Sequence, residues 1–177
     1  MKKIFALLFF SLTFFLVAET LPQGYRDIKL GMSIDEVKKA LRKNTEFGYR
    51  GDRDVSLLPG ENRVLIETEG NTLYRQSFLG RCSFQFYNEK LYIIIIGVNE
   101  AKMDHYSIFD TLTKKYGKPH SLSPEKSVWK NDAVTMSLER PLAIKYVDNK
   151  TFDDLKKASL VPLSTTEMTR QMFLDEL

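Results

Sequence analysis

One cysteine, Cys82, and two histidines, His105 and His120, are the side chains of this chain best suited to act as nucleophile, base or soft metal ligand. A zinc site needs three or four ligands at workable spacing, and these three share no short paired motif. His105 falls on the polar side of a predicted helix and His120 follows Pro119 in a loop, so both read as surface residues. Cys82 sits in the alternating run RCSFQFY, where a free cysteine behaves as a small buried hydrophobe. A Cys82–His dyad would need the fold to bring together groups that no local signature joins. The pairs Glu67/Glu69 and Asp153/Asp154 could share acid–base work if held about 5–9 Å apart in a cleft. Asp148 to Asp154 fails the calcium-loop pattern, because Lys150 and Phe152 stand where oxygen ligands are required. The chain has no G-x-S-x-G elbow, no phosphate-binding P-loop and no G-x-G-x-x-G turn. No cofactor and no metal is expected.

Surface recognition has more to work with. Tyr and Trp are enriched at binding hot spots. Tyr74, Tyr87, Tyr92 and Trp129 are the aromatic candidates, against the competing reading that they fill the core. Tyr49, Arg50 and Arg53 join them from a polar, turn-rich stretch at 44–62, read as a long mobile loop. Arg50-Gly51-Asp52 within it spells a tripeptide that some adhesion receptors read, although a solvated turn is the expected form.

The elements that must carry these residues follow from the pattern. Ser33 and Glu36 form a capping box, and Val37, Ala40 and Leu41 give a stripe, which predicts a helix over 33–43. RVLIET, TLYRQSFL, CSFQFY and LYIIIIGV read as four strands separated at Gly70-Asn71, Gly80-Arg81 and Asn88 to Lys90. Such short separations favour antiparallel hairpins. LYIIIIGV, apolar on both faces, should be a central strand covered on both sides. Tyr106, Phe109, Leu112 and Tyr116 mark one face of a second helix over 103–116, stopped by Gly117. SVWK, AVTMSLE and LAIKYVD form a second meander, the last strand having one core face and one face wet or covered by a partner. A short helix over 151–160 and a terminal helix opened by Ser164 and Glu167 complete the expectation. The fold class is α+β: a helix followed by an antiparallel meander, arranged twice, in units 28–98 and 103–148 of one domain over 19–177, with a helical tail over 151–177.

Residues 1–18 read as a signal peptide: Lys2 and Lys3, then a run from Ile4 to Val17 broken only by Ser11 and Thr13, then Ala18 at the cut. The run is shorter than the roughly 20 residues of a spanning helix. No cysteine follows it to carry a lipid anchor, so a processed, periplasmic or secreted protein is expected. Without Lys2 and Lys3 the charge is nearly balanced, 24 basic against 23 acidic side chains, which argues against a nucleic-acid partner.

DIKLGMSIDEVKKAL resembles the opening of small bacterial envelope proteins of the SmpA/OmlA type. LTKKYGKPHSLSPEKSVW is similar to their later helix–YG-x-P–Trp segment. The matching positions are Gly31, Met32, Ser33, Glu36, Val37 and Leu41, then Tyr116, Gly117, Pro119 and Trp129. The resemblance implies the helix-then-sheet fold those proteins share with β-lactamase inhibitor proteins, and a non-enzymatic role in binding another envelope protein. Inhibition of a secreted enzyme through the 44–62 loop is the alternative, and a small thiol enzyme using Cys82 the third.

Overall fold

The structure, a computed structural model, describes residues 20–71, 77–158 and 173–174. It is α+β. Strands β1 (Gly24–Tyr25) and β2 (Ile28–Lys29) form a small ribbon that leads into helix α1 (Ile34–Lys43). Strands β3 (Val55–Leu57), β4 (Arg63–Glu69), β5 (Leu79–Tyr87) and β6 (Lys90–Val98) follow in antiparallel sequence. Helix α2 (His105–Tyr116) comes next, then β7 (Ser121–Leu122), β8 (Lys126–Lys130), β9 (Val134–Glu139) and β10 (Ala143–Asp148), then helix α3 (Asn149–Ala158). All strands from β3 onward share one eight-stranded sheet in the order β3-β4-β5-β6-β10-β9-β8-β7. The last strand of each run, β6 and β10, thus meets the other at the centre.

Side chains alternate across a strand, so the register assigns each residue to a face. One row reads Ile66, Phe84, Ile94, Tyr146, Met136 and Trp129 from β4 to β8. All six are buried, and they pack with Val37 and Leu41 of α1 and Leu112 of α2 in the main core. The opposite rows carry Leu65, Gln85, Ile93, Val147, Thr135 and Lys130, then Glu67, Ser83, Ile95, Lys145, Ser137 and Val128. Among the described residues this second face holds a small cluster of Tyr92, Ile93 and Val147, against which Leu155 of α3 packs. The central strand β6 is therefore covered fully on one face and partly on the other.

Two register shifts explain how an imperfect alternation still closes the core. Leu79 and Cys82 lie three apart, so a regular strand would turn them to opposite faces; both are buried because an irregularity falls between them. Gly80-Arg81, expected as a turn, is this irregularity inside β5. Of the expected strand TLYRQSFL, 72–76 lie outside the described residues, while Ser77 and Phe78 precede β5 and Leu79 opens it. A second shift leaves Tyr92 as the extra residue on β6 and puts it beside Ile93.

Local chemistry sets the helix ends. The Ser33 side chain accepts from the Glu36 amide, and the Glu36 carboxylate accepts from the Ser33 amide at 2.7 Å. Gly31, at φ 85°, lets the lead-in turn so that its amide donates to Leu91 O while Met32 O accepts from the Leu91 amide. Asp104 caps α2, and Gly117 follows its end. Asn149 ties the start of α3 to the β8–β9 turn, its Nδ2 donating to Asn131 O at 2.8 Å and its Oδ1 accepting from Thr135 Oγ1.

Candidate functional site

The expected binding residues do not form one cluster. Trp129, offered as a surface anchor, is wholly buried: it packs against Phe109, and its Nε1 donates to Gly117 O at 2.8 Å. The cause is its place in the core row beside Met136. Tyr87 is half-buried at the end of β5, against the cluster on the second face. Tyr74 lies outside the described residues. Tyr49 packs on the core under the Arg42 guanidinium, and burial pushes its phenol pKa up.

The segment 44–62 is not an open loop. It carries two 3-10 turns, Thr45–Phe47 and Gly51–Asp54, and the edge strand β3. Phe47 is buried and stacks edge-on against Phe84. Arg50 is bound by its neighbour: Asp54, whose side chain is fully enclosed, accepts from the Arg50 amide at 2.7 Å and from Nε at 2.9 Å. Asp52 pairs with Lys38. Arg50-Gly51-Asp52 is therefore a folded turn with both charges engaged, while Arg53 is exposed.

Cys82 is fully buried, and desolvation pushes its thiol up to about 12. Burial thus disfavours the nucleophilic thiolate form. His105 lines a surface groove and His120 is exposed, its Nδ1 accepting from the Lys130 amide. Among the described residues no three His, Cys, Asp or Glu side chains are placed to hold a metal ion. Glu67 and Glu69 are exposed on β4, Glu69 paired with Arg81. Asp153 and Asp154 lie on α3, where Asp154 pairs with Lys150.

What the fold does assemble is the second face of the sheet. Ile95, Val128 and Leu65 are partly buried there, with Lys126, Lys130 and Lys145 on the β8 and β10 side and Glu67 on β4. A cleft of about 260 Å³ runs between these lysines, Val147 and Phe152 of α3. The alternation of LAIKYVD pointed to this face; which residues of β4, β5 and β8 join it depends on register.

A helix-and-sheet protein with an unevenly covered sheet is the class this geometry defines. Residues 23–158 match the family model described as the TP0088 domain, and the chain belongs to that family. No curated protein and no solved structure matches the chain. Among the described residues no helix is long and apolar enough to cross a membrane.

Proposed function

We propose that this is an exported, non-enzymatic protein-binding module that uses the second face of its sheet to hold another envelope protein. The observation that carries the reading is the chemistry of that face. Partly buried Leu65, Ile95 and Val128 are set among Gln85, Ser83, Lys145 and Ser137 across it, lysines stand along β8 and β10, and among the described residues α3 covers one part. A sheet face that mixes aliphatic side chains with lysines can be met by a partner of complementary charge. The run α1 then β3 to β6, followed by α2 then β7 to β10, supports two helix–meander units of the SmpA/OmlA and β-lactamase-inhibitor type. The leader at 1–18 supports export to the periplasm or beyond. Burial of Cys82 counts against the thiol enzyme.

The test is capture from the source envelope fraction on immobilised protein starting at residue 19, beside Ile95→Asp and Lys145→Glu. The reading expects a partner retained by the parent and lost by both variants. Equal retention by all three would refute the use of this face. The inhibitor reading keeps one supporting observation, the stiffening of 44–62 by the bonds of exposed Arg50 to the enclosed Asp54 carboxylate. It expects the partner to be an enzyme whose release follows changes at Leu57 and Leu58 instead.

A further inference from the structure

At the corner of the sheet where β3 begins, six charged side chains line one cavity of about 250 Å³. Arg53 and Asp54 come from the Gly51–Asp54 turn, Arg50 from the residue before it, Glu67 and Glu69 from β4 and Arg81 from β5. Pairing of Val55 with Ile66 brings that turn beside Glu67, and Glu69 stands opposite Arg81 two residues further along β4. Three positive groups therefore meet three negative ones. Two of each are matched inside the protein. Asp54 accepts from Arg50 Nε at 2.9 Å, and the Arg81 guanidinium reaches Glu69 at 3.2 Å. Arg53 and Glu67 are left over. Both are exposed, both line the cavity, and among the described residues neither side chain has an ion-pair or hydrogen-bond partner.

We infer that this cavity binds a small zwitterion, an α-amino acid, with its carboxylate on Arg53 and its ammonium on Glu67. The charge count sets the class of ligand. The lining is already balanced, so a ligand of net charge would unbalance it, whereas one that carries both signs matches the two open groups together. A guanidinium presents a fork of N–H donors that fits a carboxylate, and a carboxylate accepts from an ammonium. Arg81 spends one nitrogen on Glu69, which leaves further N–H groups for the ligand carboxylate. The cavity is smaller than the roughly 300–1,000 Å³ of drug-sized sites, so the ligand is small. Half-buried Val55 is its apolar wall and suits a short aliphatic side chain. The inference goes beyond the partner surface assigned above. Ile95 and Lys145 do not line this cavity, so Ile95→Asp and Lys145→Glu leave it intact.

The test titrates the whole nitrogen-15-labelled chain with L-valine and with two analogues that each lack one charge, N-acetyl-L-valine and L-valinamide. Saturable amide shifts confined to Arg53, Val55, Ser56, Glu67 and their neighbours are expected with valine. Either analogue should bind about fivefold more weakly, the scale of one charged contact partly in water. The variants must then cross over. Glu67→Gln should bring valine down to the affinity of N-acetylvaline and leave N-acetylvaline itself no weaker. Arg53→Gln should bring valine down to the affinity of valinamide and leave valinamide no weaker. Both positions are exposed, and an amide spectrum unchanged away from the cavity verifies that each variant is folded. Lys145→Glu should bind valine as the parent does. The inference is overturned if valine gives no saturable shift, if the three ligands bind alike, if each variant weakens all three ligands equally, or if Lys145→Glu is the damaging change.

Discussion

At the scale of the residue, environment rather than identity decides what each group can do. Cys82 is the case in point: desolvation raises its pKa to about 12, so the thiolate that alkylating reagents attack is absent near neutrality. A maleimide at pH 7.5 should leave the native protein unlabelled and react fully once urea unfolds it. Arg50 and Asp54 show a second kind of dependence. The enclosed carboxylate is tolerable because the guanidinium and the Arg50 amide both donate to it. Arg50→Ala keeps the amide and loses the rest. Its cost should be about 1–2 kcal/mol in urea melts, below the ~3–5 kcal/mol of a fully enclosed pair because the Arg50 side chain is mostly in water. Arg50→Lys should recover only part of it, since an ammonium cannot reproduce the forked geometry.

At the scale of the element, caps and close approaches set the margins. Glu36 is held below the ordinary glutamate range chiefly by the Ser33 amide, and then by the Ser33 hydroxyl. A carboxylate whose folded pKa is depressed stabilises the fold above its unfolded value, and that contribution is lost as pH falls through the folded value. The parent protein should therefore lose stability below about pH 4.5 more steeply than Glu36→Gln, as thermal melts across pH 3–6 would show. Ser33→Ala should cost about 1 kcal/mol at neutral pH. Gly97 matters for a different reason. A Cβ there would overlap the Arg81 carbonyl oxygen where β5 and β6 run irregularly. Gly97→Ala must part β5 and β6, with an expected loss above about 2 kcal/mol and faster amide exchange in both.

At the scale of the whole molecule, the sheet is covered unequally. Two helices close one face into a core of large side chains, while α3 seats Leu155 on Tyr92, Ile93 and Val147 over the other. Leu155→Ala should cost about 1 kcal/mol, given its half-buried position. It should speed amide exchange in α3 and leave the protection of β8 to β10 unchanged, which would show that the second face does not hold the fold together. The two sheet edges, β3 and β7, are three and two residues long, short enough to limit uncontrolled edge pairing.

The sequence alone determined the elements whose signals are local. The Ser33–Glu36 box placed α1, because capping chemistry acts within four residues. The alternation of AVTMSLE and LAIKYVD placed β9 and β10, because strand periodicity is written into neighbours. Gly31, Met32, Tyr116, Gly117 and Trp129 lie at turns and core contacts, which are structural places and not a site. Tertiary structure decided what depends on partners distant in sequence. Pairing of β6 with β10 made one sheet of two strand runs and buried Trp129, which composition had offered as a surface anchor. Register shifts in β5 turned Gly80-Arg81 from a turn into a strand irregularity, because burying both Leu79 and Cys82 outweighs a local turn preference. The exposure of Tyr106 and Leu122 likewise follows from where the sheet ends, a property that no window of neighbouring residues contains.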